Sequence, residues 1–314
     1  MSVWAVVLSA IGCAALFGLF IATYAVVSFA LMRPHATART FAVSLRALAR
    51  EWFFVAMTQP FLPLYYLLGR RMGRRRATYA TPVPVVFVHG YMQNRIGFVG
   101  LARSLDAREI GPLYGFNYPW FASMASNSAR LERFVAKLCA ETKSASVDLV
   151  CHSMGGLVAM EMIRKDAKRG RPRVRRCVTI ATPHAGVMWQ GPLFGVGAAG
   201  LRRGSKLLEA QAGIALALPT LSIFSDHDNI VFPSTTASLK ERGGEDLEVK
   251  GLSHLAILFA PEVAEHVAHF LQAAAATPAV VPVFEDAATD RAPSHAAASQ
   301  TGLGEAPSFP ETHD

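Results

Sequence analysis

The stretch "VDLVCHSMGGLVA", Val147 to Ala159, carries the residue best suited to covalent chemistry, Ser153. A serine hydroxyl is a weak nucleophile at neutral pH. It needs a base to accept its proton and an acid to steady that base. "VDLVCHS" reads as a buried strand and "MGGLVAMEMIRKDAK" as a helix, so Ser153 falls where a strand turns abruptly into a helix. That corner exposes the hydroxyl above a helix N-terminus, and it demands small side chains on both sides, usually written G-x-S-x-G. Gly155 and Gly156 meet the demand after the serine, and Cys151, still a small side chain, stands where the first glycine is usual. The plain alternative is a serine that merely caps the helix. Cys151 is a second candidate nucleophile, expected to point away from any cleft that Ser153 faces.

The acid candidates lie in "SDHDNIVFP". Asp228 opens a turn toward an apolar residue and Pro233, and Asp226, nearer the strand, is the fallback; either could instead cap a turn. The base candidate is His254, in "GLSHLAI", a loop between a strand and the last helix. His266 and His269 fall within that helix and read as packing or surface residues, His227 as a loop residue, and His152 and His184 as structural. Negative charge developing on a substrate oxygen calls for backbone donors. Met154, directly after the serine, supplies one N–H, and Tyr91 in "VHGYMQN" the other, with Gly90 letting the backbone come close.

These loops need a frame that brings them to one edge. From Val83 to about Gln272, short apolar runs alternate with amphipathic segments. "VPVVFVHG", "VDLVCHS", "VRRCVTIATPHAG", "PTLSIFSDHDN" and "LEVKGLSH" read as strands. "NSARLERFVAKLCAETKSA" and a segment from Pro261 to Leu271 read as helices. The alternation predicts a mostly parallel sheet with helices on both faces, whose ligands bind at the carboxyl ends of the strands. Each candidate residue follows a strand.

The rest of the chain divides by composition. Of 314 residues, 52% are hydrophobic, and the mean hydropathy is +0.28. Ser2 to Met32 carries no charged side chain, more than the roughly 20 residues needed to cross a bilayer. No basic residue precedes it and it is long for a signal peptide, so residues 1–32 are read as an uncleaved transmembrane anchor. The net charge is +8, and nine arginines between Arg33 and Arg76 face a single acid, Glu51, in that region. Beside an apolar segment, such a cluster suits anionic lipid headgroups rather than nucleic acid. Arginines placed after the anchor put the catalytic region on the cytoplasmic side. Residues 33–81 are read as a basic and apolar membrane-proximal linker. Within it, Trp52 to Leu68 is a second membrane-associated stretch whose Pro60 and Pro63 disfavour a straight span. Residues 82–273 form the catalytic domain, and residues 274–314 a disordered tail. Cys13, Cys139, Cys151 and Cys177 show no metal-ligand or paired spacing, so neither metal nor cofactor is expected.

Taken in order, "VFVHGYMQN", "VDLVCHSMGGLVA", "VTIATPHAG", "SDHDNIVFP" and "GLSHLAI" resemble the lipase and esterase branch of the α/β-hydrolase superfamily, especially bacterial triacylglycerol lipases and GPI-inositol-deacylase-like enzymes. The resemblance covers roughly Pro82 to Leu271. It implies an α/β-hydrolase fold, Ser153 as nucleophile, Asp228 as acid, His254 as base, and oxyanion donors at Tyr91 and Met154. The expected activity is hydrolysis of a small-molecule or lipid ester at a membrane. An amidase, thioesterase or acyltransferase on the same fold, or a non-catalytic membrane scaffold, are the alternatives. Dehalogenase chemistry is disfavoured, because it needs a carboxylate where Ser153 stands. In the resembling lipases, segments like Gly186 to Pro219 border the acyl pocket or form a lid; an ordinary crossover is the other reading. The sequence is silent on oligomeric state.

Overall fold

The computed structural model of the chain describes residues 2–35, 41–61, 69–170, 172–189 and 195–273. The tail 274–314, residues 62–68 of the second apolar stretch, and residues 190–194 of the segment 186–219 lie outside the described residues.

Six parallel strands form one sheet: β1 (Val85–Val88), β2 (Leu113–Phe116), β3 (Val147–His152), β4 (Val174–Ile180), β5 (Thr220–Ser225) and β6 (Glu245–Val249). Their order is β2-β1-β3-β4-β5-β6. The chain leaves β1 toward one side and returns on the other, so the order reverses between β1 and β3. That reversal opens a crevice at the carboxyl ends of the two strands, where open α/β sheets bind ligands.

Both faces of the sheet are covered, as the alternation of strand and helix predicts. On one face, α3 (Val99–Ala107) and the last helix, here α7 (Pro261–Gln272), pack Leu101, Leu105, Val263 and Val267 against Phe87, Val150 and Ile223. On the other, α4 (Met124–Thr142) and α5 (Met154–Lys168) set Leu131, Val135, Leu157 and Val158 against Val86, Leu149 and Cys151. Strand residues facing alternate ways thus feed two separate apolar layers. The five strands expected from sequence are present; the sixth, β2, has only four residues and no long apolar run to announce it. The segment between β4 and β5 holds a 3₁₀ turn (Val196–Leu201) and a short helix, α6 (Lys206–Glu209), which bury Leu201 and Leu208.

Ahead of the sheet stand two helices, α1 (Val3–Met32) and α2 (Phe41–Thr58). Among the described residues, α1 is the one helix long and apolar enough to cross a membrane. Its two halves differ. Trp4, Leu8, Ile11, Leu16 and Phe20 are exposed, whereas Ile21, Ala25, Ser28, Phe29 and Met32 are buried. The buried set recurs every three or four residues, which is one face of a helix. On α2 the matching stripe is Ala47, Glu51, Val55 and Thr58. Phe29, Met32 and Ala47 close on Phe232 of the loop after β5, and Phe54 stacks on Phe259 with ring centres 4.1 Å apart. The α1–α2 hairpin therefore packs on the carboxyl-end loops of the sheet. The helix of the second apolar stretch begins at Phe41, earlier than the apolar run suggests, and passes at Thr58 into a 3₁₀ turn, Gln59–Phe61, that contains Pro60.

Candidate active site

The corner after β3 has a backbone that an L-residue adopts only when its surroundings impose it. Ser153 has φ 52° and ψ −126°, between an extended strand and the first turn of α5. Its N–H donates to Ile180 O on β4 (2.9 Å), which pins the turn to the neighbouring strand. The Ser153 side chain makes no capping hydrogen bond to α5, so the residue does not serve as a helix-capping serine. Close approach explains the glycines. A Cβ on Gly155 would lie 2.2 Å from Val88 O, and one on Gly156 would lie 2.2 Å from Thr182 Oγ1. Cys151 points into the apolar layer beneath α5, fully buried, and burial beside the Cys177 thiol pushes its own thiol well up. A thiol held protonated and closed off from solvent is inert as a nucleophile.

The loop after β1 meets this corner. A Cβ on Gly90 would sit 2.9 Å from Ser153 Cβ, so only a glycine lets the two loops touch. His89 fixes the loop's shape: its ring stacks on Tyr118 (4.1 Å between centres), and its Nδ1 donates to Gly90 O (2.9 Å). Its Nε2 accepts from Tyr118 N–H (3.2 Å). Burial lowers the His89 pKa to about 4, so the ring is neutral and acts as a bracket. The Gly90 N–H is engaged by Gln93 Oε1 (3.2 Å).

The loops after β5 and β6 bring an acid and an imidazole together. Asp228 Oδ1 accepts the N–H groups of Ile230 and Val231, both at 2.8 Å, which locks the carboxylate in a turn of its own making. His254 Nδ1 lies 3.0 and 2.9 Å from the two oxygens of Asp228. Asp226 faces elsewhere, toward His227 Nδ1 (2.9 Å) and Gly251 N–H (2.8 Å), and so ties the two loops together. Burial pulls the His254 pKa down, but the charge and hydrogen bond of Asp228, with the charge of Glu51, outweigh it and leave the pKa raised. A proton on Nδ1 facing the carboxylate leaves Nε2 to exchange protons with a substrate.

His152 joins the two halves. Its Nδ1 is 2.9 Å from Gln93 Oε1, its Nε2 is 2.9 Å from His254 O, and its ring centre lies 4.7 Å from that of His254. Burial, then the neighbouring His254, holds its pKa well below the usual histidine range. Ser153 and His254 keep 6% and 7% of their surface exposed, while His89 and His152 keep none. The first pair keeps a little contact with solvent and the second is closed off from it. Of the remaining histidines, His266 and His269 are exposed on α7, and His184 is half-buried with its Nε2 3.1 Å from Thr179 Oγ1, its pKa lowered to about 3 by desolvation and the charge of Arg242.

Next to the β1 loop lies an aromatic wall. Tyr91 meets Trp120 edge-on at 5.0 Å, and Trp120 meets Phe121 edge-on at 5.6 Å. Val196 N–H donates to Phe121 O (2.9 Å), and Met92, Phe121 and Val196 are exposed. Among the described residues no group of three or more His, Cys, Asp or Glu could hold a metal ion.

Residues not evident from sequence complete the site. Glu51 on α2 and Asn229, the neighbour of Asp228, hold the backbone around His254. Gln93 and His89 hold the β1 loop. Asn229 and His89 adjoin motif residues and could have been suspected from that alone. Glu51, about 200 positions from the histidine, offered one signal only, a lone acid on an apolar helix.

A sequence model described as "Alpha/beta hydrolase family" matches residues 85–310. Among solved structures, the mature form of the Bacillus licheniformis lipase BlEst2 superposes with a TM-score of 0.55 at 17% identity, covering 64% of this chain and 96% of that one. Aspergillus fumigatus lipase B gives 0.53 at 15% identity, covering 62% of this chain and 54% of that chain. At these identities the likeness is one of fold. A search of curated proteins gives no match.

Proposed function

The chain belongs to the alpha/beta hydrolase family, and from that premise we propose that it is a membrane-anchored serine hydrolase that cleaves carboxylic esters with lipid-like acyl chains. The observation that carries the reading is the pairing of the Asp228 carboxylate with the His254 imidazole, 2.9 Å apart, in loops at the same strand ends as the strained Ser153 corner.

In this mechanism Ser153 Oγ attacks the ester carbonyl carbon while its proton passes to His254 Nε2. The N–H groups of Tyr91 and Met154 receive the negative charge on the carbonyl oxygen. The tetrahedral adduct collapses, the C–O bond to the alcohol breaks, and His254 returns the proton to the leaving oxygen. Water then attacks the acyl-enzyme, giving its proton to His254, and the acid departs as Ser153 is reprotonated. Asp228 stays ionised and stabilises the imidazolium of both transition states.

An acyl chain as substrate is supported by the aromatic wall beside Tyr91. Membrane anchoring is supported by the exposed first part of α1: Val3 to Phe20 is about 27 Å long at 1.5 Å per residue, close to the thickness of a hydrocarbon core. One face of the second part, from Ile21 to Met32, packs on the hydrolase unit, which favours a retained anchor over a cleaved signal. The arginines after α1 favour a cytoplasmic catalytic domain and contact with anionic lipids.

The test is a series of p-nitrophenyl esters of graded chain length, with matched thioesters and amides, assayed on the full-length protein in micelles and on Ser153→Ala. Ester turnover that rises from acetate to medium chains and vanishes in the variant is expected. A preference for thioesters or amides would replace the ester assignment, and turnover that persists in Ser153→Ala would end the serine mechanism.

A further inference from the structure

Glu51 is a carboxylate with no exposed surface, far in sequence from the strand-end motifs and unused by the mechanism above. A buried charge of this kind is costly unless it is paired and hydrogen-bonded. Its partners are specific. Oε2 accepts the N–H groups of Leu255 (2.9 Å) and Ala256 (3.3 Å), and Oε1 accepts from Tyr24 Oη on α1 (3.2 Å). The next N–H back along the chain, that of His254 itself, donates to Asn229 Oδ1 at 3.0 Å. Asn229 Nδ2 in turn donates to Ser28 Oγ of α1 at 2.8 Å. Three consecutive backbone N–H groups, beginning at the histidine, therefore converge on two acceptors that the N-terminal hairpin supplies or steadies. Successive N–H groups of this kind make an anion-binding concavity.

From this geometry we infer that Glu51 is a positioning residue for ester hydrolysis: it holds the His254 loop against Asp228 and supplies a second negative charge behind the imidazole, making the membrane hairpin part of the active site. The inference rests on the reading of His254 as the base. Every recorded contact of Glu51 is made by a group that can donate, which suits a carboxylate rather than a carboxylic acid. Burial raises the Glu51 pKa and outweighs the facing charge of His254 and the backbone N–H groups, which pull it down. The charge-bearing neighbours of His254 are Asp228 from the β5 loop, His152 from β3, and Glu51 from α2, with Tyr24 of α1 behind Glu51. Of these, Asp228 and Glu51 are the carboxylates, and the inference takes both as charged. As Ser153 gives up its proton, positive charge develops on the imidazole. A fixed anion behind the loop stabilises that charge without having to reorganise.

The variant that separates charge from shape is Glu51→Gln, which keeps an acceptor oxygen for Leu255 and Ala256 but removes the negative charge. Full-length protein in micelles is assayed on p-nitrophenyl butyrate across pH, with rates normalised to the fraction that a fluorophosphonate labels. The expected result is a kcat reduced roughly tenfold with KM little changed, and an acid limb of kcat/KM shifted about one unit lower, because a histidine that loses a neighbouring anion becomes less basic. Glu51→Asp, which retains the charge, should keep the limb at its wild-type position even where kcat falls. Tyr24→Phe removes a single donor from Glu51, and should move the limb in the same direction by less. It carries the test should the glutamine variant not fold. A wild-type rate in Glu51→Gln, or a slower enzyme with an unmoved acid limb, would overturn the inference while leaving the serine mechanism intact. Labelling that survives Ser153→Ala would instead remove that mechanism, and the inference with it.

Discussion

The two halves of the site are built by different means. The half proposed to carry the nucleophile is steric and local. Ser153 takes its shape from glycines two and three residues away, from a strand neighbour, and from a β1 loop that a side chain at position 90 would push off. The half proposed to carry the base is electrostatic and remote. His254 and the residues after it are held by Asp228, Asn229 and Glu51, from 25 to 205 positions distant, and of these Glu51 belongs to the N-terminal hairpin and Asn229 bonds to it. A half defined by close contact should fail abruptly when volume is added. A half defined by charge should weaken by degrees and shift with pH.

The largest effect belongs to the serine itself. Ser153→Ala is expected to lower kcat by about 10⁶, leaving only what binding and the oxyanion donors supply. On the base side, Asp228→Asn should cost about 10⁴ in kcat, because an amide no longer selects the tautomer that frees Nε2. Thermal unfolding of that variant should stay close to wild type, which separates loss of chemistry from loss of fold. On the nucleophile side, Gly90→Val should cost roughly 10²–10³ by displacing the Tyr91 N–H, and Tyr91→Ala, which spares the backbone, should cost much less. The reverse ranking would show that the tyrosine side chain, not the loop, matters. The smallest effect belongs to Cys151→Ala. The thiol lies in the apolar layer away from the crevice, so kcat/KM should stay within about twofold and stability should fall by about 1 kcal/mol for the lost packing. Loss of turnover there would make the cysteine, not the serine, the reacting group.

The pH dependence sharpens the same contrast. The base must be neutral to accept the serine proton, and Asp228 and Glu51 together leave His254 more basic than usual. The acid limb of kcat/KM should therefore have its midpoint above about 6.5, the ordinary histidine value. A midpoint below it would mean that burial dominates and that the anions contribute little.

Legibility in the sequence follows this division. The strand-to-helix corner could be read because the sterics that make it also dictate the residue types within a few positions: small residues around Ser153, an apolar run before it and a helix after it. The pairing of Asp228 with His254 is less direct. Order and strand-end context put both at one rim, but only the fold separates Asp228 from Asp226, two residues away, by turning one toward the imidazole and the other toward His227. Strand β2 escaped notice because Gly115 interrupts its apolar run, where β1, equally short, is the unbroken VVFV. The role of α2 was hidden for a different reason. Read by composition, residues 33–81 are basic and apolar, and Glu51 is the exception within them. What makes that exception matter is a contact across about 200 residues, which no local pattern encodes. The buried stripe of α1 was hidden likewise, since an all-apolar helix does not announce which of its faces will be covered.

The most direct measurement is to treat the full-length protein with a fluorophosphonate, digest it, and locate the adduct by mass spectrometry. The expected result is a single modification on Ser153, in a peptide that also contains the unmodified Cys151. A modification on any other residue, or none on an enzyme that still turns over ester, would contradict the assignment of Ser153 as the nucleophile.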